Sequence, residues 1–181
     1  MDTQSLEKLR FPIGEFVAPD HIDEDTLTGW IADIESFAQQ ARACVQYASP
    51  DQLTWRYRPG GWTLTQLVHH CADSHLNAFT RFRLALTENN PTIRPYNEAA
   101  WANLPDSLSP NLGISLTLLD GLHARWACLL KSLSPLQWGR TYVHPEHGKQ
   151  FTLRETAGSY SWHCRHHLAH MRQAMDSKGE Y

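Results

Sequence analysis

The amino-acid sequence predicts an all-α protein, a four-helix bundle with a long crossover loop and a small β-hairpin before the last helix. Four segments repeat apolar residues at intervals of three and four, the spacing that buries one face of a helix. A proline-rich segment separates the second repeat from the third, and a segment without helical period precedes the fourth. The 181 residues, 41% of them hydrophobic and seven of them Trp, suit one globular domain covering residues 1–181.

The N-terminal part is predicted to be an arm followed by the first bundle helix. Residues 1–22 form the arm, and its part from Leu9 onward is extended because prolines and a glycine interrupt any helical period. Asp23 or Asp25 can cap the helix that follows. The apolar residues of that helix are Leu27, Trp30, Ile31, Ile34, Phe37, Ala41 and Val45. Residues 53–58 are predicted as a short strand or an irregular segment.

The second helix carries three histidines whose orientation the sequence leaves open. It starts at a capping box of Thr63 and Gln66 and continues to about residue 87. On a helical wheel, His75 lies in the middle of the apolar stripe, His70 beyond its edge and His69 far round the other side. Periodicity therefore selects His75 as the buried ring. However, His70 continues at helical spacing into a polar ridge that includes Asn77 and Arg81, which favours a polar cavity beside His70.

The crossover loop of residues 88–111 contains four prolines and is long for a connection in a compact domain. Its aromatic residues, among them Tyr96 and Trp101, argue against a disordered tract. Two interpretations remain open, a lid over a pocket and a wrap that covers the crossing between helix pairs.

The third helix is predicted over residues 115–133, and its isolated His123 is expected at the surface rather than as a ligand. Residues 140–151 alternate around a turn and predict the hairpin. A second capping box, formed by Thr152 and Glu155, then starts the fourth helix.

The fourth helix holds four histidines within eight positions, His163, His166, His167 and His170. Two imidazoles one helical turn apart can bind the same cation. The wheel places His163 and His167 nearest the shoulder of the buried stripe and turns His166 furthest toward solvent. The pattern therefore favours His163 and His167 as metal ligands over the alternative, a polar helix face that is rich in histidine without binding a metal.

Composition and charge narrow the classes of partner. The net charge of −3 provides no basic surface for nucleic acid and no polybasic patch for a membrane, and no apolar run is long enough to span a bilayer. The first residues lack the features of a secretory signal, and the four cysteines are scattered without a Cys-x-x-Cys pair. A cytoplasmic protein with reduced thiols, binding neither nucleic acid nor membrane, is the expectation.

Two segments resemble the signatures of the DinB-like superfamily. Residues 61–75 resemble its helix signature, in which a Trp is followed eight positions later by a metal-binding His, and from Trp62 that position is His70. The last helix resembles the second signature, whose two ligands are four residues apart, as are His163 and His167. The resemblance implies that His70, His163 and His167 bind one metal ion, and it selects His70 over His75.

Further segments resemble the YfiT branch of that superfamily, whose members are described as metal-dependent hydrolases and as bacillithiol S-transferases. The similarity runs from Leu9 to about Met175 and includes residues 11–14, 72–77, 81–88 and 91–96. The resemblance implies a DinB/YfiT-like bundle and an enzyme that acts on a small electrophilic substrate.

Three neutral imidazoles would leave a divalent ion with an open coordination position, which is the catalytic rather than the structural arrangement. Such an ion can lower the pKa of water to about 7 or bind a thiol as thiolate. The expected function is therefore a metal-dependent enzyme that activates a low-molecular-weight thiol, as an S-transferase, or water, as a hydrolase. All-imidazole ligation suits zinc, nickel, copper or iron, and zinc and nickel are the candidates. Asn77, Arg81 and Tyr96 are the candidates to line the substrate pocket.

One alternative function is a non-catalytic metal-binding or stress-response module, in which the metal stabilises the fold or is sensed. The partners expected for the enzyme are a small-molecule thiol and an electrophilic substrate. Helical bundles commonly pair through a helix face, which makes the fold compatible with a homodimer.

Overall fold

A computed structural model describes residues 2–146 and 148–181. Its long helices confirm the predicted four-helix bundle, and they are α2 (Glu24–Val45), α3 (Leu64–Thr87), α5 (Leu112–Lys131) and α7 (Leu153–Asp176). The shorter elements are α1 (Thr3–Arg10), a 3-10 turn (Gln52–Thr54), α4 (Glu98–Trp101), α6 (Pro135–Trp138), β1 (Thr141–His144) and β2 (Lys149–Thr152). Helices α2 and α3 each pack against both α5 and α7, so the histidine-bearing helices α3 and α7 are neighbours.

Side-chain caps mark the starts of three of the four long helices, α2, α3 and α7. The Asp23 carboxylate accepts a hydrogen bond from the Thr26 amide at 2.8 Å and starts α2. Both predicted capping boxes form, at Thr63 before α3 and at Thr152 before α7. Each satisfies backbone N–H groups that a helix terminus otherwise leaves without partners. The chemistry of four residues thus sets the start of the two helices that carry most of the histidines.

The hairpin forms as predicted and is joined to the crossover loop. Its strands β1 and β2 are antiparallel, with Thr141 opposite Thr152. The backbone N–H of Val143 donates to the carbonyl of Pro91 at 2.9 Å, and the N–H of Ile93 donates to the carbonyl of Val143 at 3.0 Å. Met1 and His147, which fall in the predicted arm and hairpin, lie outside the described residues.

The N-terminal arm differs from its prediction because it contains α1. The Asp2 carboxylate accepts from the Ser5 amide at 2.7 Å and caps this helix, which continues through Arg10. The extended conformation predicted from Leu9 onward therefore begins only after α1 has ended. The segment predicted as a strand or an irregular piece is the 3-10 turn followed by a single bridge between Arg56 and Thr63.

The helices enclose one continuous core in which apolar and imidazole rings meet. Phe82 packs edge-on against Trp126 with ring centroids 5.5 Å apart, and Phe37 packs edge-on against His75 at 4.8 Å. Between the two, Trp126 also contacts His75 at 6.2 Å. Within the described ranges, no helix is both long enough and apolar enough to cross a membrane.

Candidate metal centre

The fold brings His70 of α3 together with His163 and His167 of α7. One ring nitrogen of each residue lies within 4.8 Å of those of the other two. The ring centroids are 5.5 Å apart for His70 and His163, 4.9 Å for His70 and His167, and 4.3 Å for His163 and His167. Because His163 and His167 are one turn apart, they share one face of α7, and α3 supplies the third ring opposite them.

The chemistry of this group fits a borderline divalent cation. Burial lowers the pKa of His70 to about 4 and holds the pKa values of His163 and His167 well below their ordinary range. The rings are therefore neutral at physiological pH, which is the form that offers a nitrogen lone pair to a metal. The group contains three imidazoles and, among the described residues, no carboxylate or thiol joins it. Three ligands leave at least one coordination position for a reactant.

Two cavities meet at this group. The first, here called the arginine cavity, has a volume of about 270 Å³, and its lining includes Ser74, Arg81, Tyr96, Glu98, Tyr142, Tyr160 and His163. The second, here called the histidine cavity, has a volume of about 450 Å³, and its lining includes Arg10, Tyr57, Trp62, Glu98 and the five rings His70, His163, His166, His167 and His170. His163 and Glu98 line both cavities, so the arginine cavity borders the group of imidazoles at His163 and the histidine cavity borders it at all three rings.

Two of the three predicted pocket residues lie in the arginine cavity. Arg81 lines it together with Tyr96, whose buried hydroxyl lies beside Ser74 without a hydrogen bond of normal geometry. Asn77 does not line it. Its amide donates to the carbonyl of Asp73 at 2.9 Å, and it borders a separate depression under the crossover loop.

Glu98 lines both cavities, and sequence patterns did not reveal it. It begins α4 in the crossover loop, whose lid interpretation indicated the segment but not this side chain. Desolvation raises the pKa of its carboxyl group, and the nearby Arg81 guanidinium opposes that shift. The Tyr142 and Tyr160 hydroxyls, also missed, face the same space, and burial raises the pKa of both phenols.

His166 is buried, although the helical wheel turns it furthest toward solvent. Only 7% of its surface is exposed, because Trp162 stacks on it with ring centroids 4.3 Å apart and Phe11 of the arm covers it at 5.9 Å. The wheel describes one helix and cannot include the arm that packs over it. His166, His167 and His170 form a second group of rings whose nitrogens lie within 4.8 Å of one another.

Three further buried histidines, His69, His75 and His123, have ring nitrogens in contact with polar groups of the protein. His123 is 1% exposed, which corrects the prediction of a surface position, because its ring is inserted between α5 and α2 to reach the carbonyl of Ile34. His75 is fully buried, as periodicity predicted, and contacts both His123 and His163. His69 contacts Ser115 Oγ at 2.7 Å and the carbonyl of Ser109 at 2.9 Å, so it joins α3 to α5 and to the loop before α5.

The fold and the ring group define a histidine-rich four-helix bundle with an open three-imidazole centre. The family model of the DinB superfamily matches residues 34–171, and the chain belongs to that superfamily. This confirms the resemblance drawn from the residues around Trp62 and from the last helix.

Individual relatives agree with this assignment. A protein of Bacillus mycoides strain KBAB4 and one of Bacillus cereus strain B4264, both named "Putative metal-dependent hydrolase", are each 46% identical over 166 residues, which is 92% of this chain and 95% of theirs. The solved structure of YfiT from Bacillus subtilis, described as "a probable metal-dependent hydrolase with an unusual four-helix bundle topology", superposes with a TM-score of 0.92 at 41% identity. The match covers 95% of this chain and 98% of YfiT.

Proposed function

We propose that this chain is a metal-dependent enzyme in which His70, His163 and His167 bind one divalent ion, zinc or nickel, and that it transfers a low-molecular-weight thiol to a small electrophile. The observation that carries the proposal is the convergence of three neutral imidazoles at the junction of two cavities. When bound there, such an ion supplies Lewis-acid chemistry that lowers the pKa of a thiol or of water. The hydrolase named among the relatives is the second candidate, with water as the nucleophile.

The two cavities favour a reaction between two bound molecules. A water nucleophile needs little space. The histidine cavity, at about 450 Å³, can hold a low-molecular-weight thiol, and the arginine cavity, at about 270 Å³, can hold a small electrophile. In this arrangement Arg81 binds a polar or anionic group of the electrophile. The neutral phenol of Tyr142, which accepts a hydrogen bond from Thr156 Oγ1, can donate its own proton in a hydrogen bond to the electrophile. The Tyr160 hydroxyl, in contrast, already donates to the carbonyl of Ser74 at 3.3 Å.

Glu98 is placed to move the proton because it lines both cavities. Its raised pKa makes the carboxylate a stronger base than an ordinary glutamate. It takes the proton of the attacking thiol, the new carbon–sulfur bond forms as the bond to the leaving group breaks, and the proton then passes to the leaving group. If water attacks instead, the same transfers produce hydrolysis.

The test compares metal-loaded wild type with His70→Ala and with the control His21→Ala, whose histidine is exposed. Metal content is measured by elemental analysis. Thiol consumption is followed with monobromobimane or a small epoxide as the electrophile, and loss of each electrophile is also measured without thiol to detect hydrolysis. We expect about one metal ion per chain in wild type and in His21→Ala, and loss of metal and activity in His70→Ala. Glu98→Gln should keep the metal and lose about 100-fold or more in rate.

Equal rates in wild type and His70→Ala would remove the metal centre from the mechanism. Turnover that needs no thiol would establish the hydrolase instead. If chelation lowers the melting temperature while neither reaction occurs, the non-catalytic metal-binding module is the correct function.

A further inference from the structure

We infer that His75, His123 and His170 are positioning residues that fix the tautomers of His163 and His167, so that both present Nε2 to the cation. The inference rests on the proposed function only in placing a cation at these two rings. It accounts for three histidines that lie outside the ligand group. Its basis is the direction of hydrogen bonds that begin at backbone carbonyls, because a carbonyl can only accept.

The first series of rings begins at the carbonyl of Ile34 in α2. His123 Nδ1 lies 2.5 Å from this oxygen, so Nδ1 carries the proton and donates it. Burial lowers the pKa of His123 to about 4, and the neutral ring therefore has its lone pair on Nε2. That lone pair faces His75 Nδ1 at 2.8 Å, which makes His75 Nδ1 the next donor.

The same logic continues from His75 to the proposed ligand. With its proton on Nδ1, neutral His75 has its lone pair on Nε2, which lies 2.9 Å from His163 Nδ1. His163 must then carry its proton on Nδ1, and its lone pair is left on Nε2. The opposite direction is excluded, because it would point a lone pair of His123 at the carbonyl oxygen of Ile34.

The surroundings of this series keep other partners away. His75 is 0% and His123 1% exposed. Phe37 packs against both rings, at 4.8 Å and 5.2 Å, and Trp126 contacts both at 6.2 Å and 5.9 Å. Aromatic carbon cannot replace a lost hydrogen bond, so each ring depends on its neighbours in the series.

A second, shorter series reaches His167 from the N-terminal arm. His170 Nε2 lies 3.0 Å from the carbonyl of Arg10 and donates to it, which leaves the lone pair on Nδ1. His167 Nδ1 faces that lone pair at 3.4 Å, a long hydrogen bond in which His167 is the donor. Its own lone pair is then on Nε2. Stacking of His170 on Tyr57, with centroids 3.8 Å apart, holds the ring in this orientation.

The competing arrangement is a second cation between His166, His167 and His170, whose nitrogens also lie within 4.8 Å. A neutral imidazole has one lone pair, so His167 cannot serve both groups at once. The hydrogen bonds of His170 assign His167 to the group with His70. One zinc ion per chain is therefore expected under saturating zinc, and two ions per chain would overturn the role of His170.

The first experiment needs neither variant nor metal. Long-range ¹H–¹⁵N correlation spectra of the metal-free protein, at about pH 8 and so above the ordinary pKa of histidine, report which nitrogen of each ring is protonated. We expect the Nδ1–H form for His75, His123 and His163, and the same form for His167. An Nε2–H form at any of these four rings overturns the corresponding series.

The second experiment measures zinc affinity by competition with a chromophoric chelator. Removing a group that orients a ligand typically costs 10- to 100-fold in affinity, and we expect that loss for His123→Phe and for His170→Phe. In His123→Gln the side-chain amide can donate to Ile34 and accept from His75, so most of the affinity should return. Phe82→Leu, a change of core packing away from both series, should bind zinc as wild type does.

These outcomes separate the inference from the proposed function. If wild type binds no zinc, the proposed function fails, and the spectra of the metal-free protein still decide the tautomers. If zinc binds but His123→Phe and His170→Phe keep wild-type affinity, the metal centre stands and the positioning role is wrong. Where a Phe variant fails to fold, the Gln variant and the wild-type spectra give the decision.

Discussion

The interior of the bundle has two halves that lie between the same helices and are stabilised differently. The apolar half contains Phe79, Phe82, Trp126 and Trp138, which pack by shape, edge to face or tilted. The imidazole half contains His70, His75, His123, His163, His167 and His170, and directed nitrogen contacts link His123 to His75, His75 to His163, and His170 to His167. The comparison teaches that the apolar half tolerates a substitution if the side-chain volume is kept. The imidazole half tolerates one only if the hydrogen-bond donors and acceptors are kept. The two should respond to different perturbations.

The largest effect is expected from a cavity in the apolar half. Phe82 is fully buried against Trp126 and Trp138, and truncation of such a ring typically costs about 3–5 kcal/mol. We expect Phe82→Ala to lower the free energy of unfolding by this amount at every pH, measured by urea denaturation. Zinc affinity per folded molecule should not change. A large change in affinity would show that the two halves are not independent.

Of the two halves, the imidazole half is the one that acid should destabilise. The pKa of His123 is lowered by burial to about 4, below the ordinary value of the unfolded chain, so the unfolded state binds the proton first as pH falls. Stability that is fully present above pH 6.5 is therefore lost between about pH 6.5 and 4, by roughly 3 kcal/mol for this ring. In urea denaturation of the metal-free proteins, the free energy of unfolding should fall between pH 6.5 and 4 by roughly 3 kcal/mol less in His123→Gln than in wild type. Identical pH profiles would contradict the assignment.

Metal should stabilise through the imidazole half. At a free zinc concentration of about 100 times Kd, binding to the folded state alone adds roughly 2.7 kcal/mol. Thermal denaturation should show this gain in wild type and in Phe82→Leu, and its loss in His70→Ala. A zinc-dependent shift that persists in His70→Ala would place the cation elsewhere.

The smallest effect is expected where both halves share one helix. Thr152 Oγ accepts from the Glu155 amide at 3.0 Å and starts α7, which borders both halves. Thr152→Ala should cost about 1 kcal/mol of unfolding free energy without selectivity for pH or zinc. The measurement is again urea denaturation, with and without zinc. A marked change in zinc affinity would mean that the helix start controls the position of the ligands.

Local chemistry explains which parts of the structure could be predicted from sequence. Capping boxes and apolar periodicity depend on residues within one or two turns, so the bundle and the starts of α3 and α7 followed from the sequence. The wheel selected His163 and His167, whereas the choice of His70 as the third member of the group followed from a family signature. Periodicity favoured His75, which is indeed the buried ring.

Contacts between distant segments explain what could not be predicted. His123 is buried because the carbonyl of Ile34, 89 positions earlier in the chain, accepts a hydrogen bond from its ring. His166 is buried because Phe11 of the arm covers it. No pattern within either helix encodes these partners. Glu98 reaches the two cavities through the path of the crossover loop, whose composition indicated a lid or a wrap without indicating which side chain it would present.

The acceptor at Ile34 is a main-chain atom, and this affects how natural variation at the centre would look. Exchange of Ile34 for valine or leucine leaves the oxygen in place, so an aligned set of relatives would display an ordinary aliphatic column there. What must be conserved is the register in which α2 packs against α5, because a shift of one residue would move the oxygen away from His123. Comparison of sequences would therefore identify the histidines of the series. It would overlook the carbonyl oxygen that determines which nitrogen of each ring carries the proton.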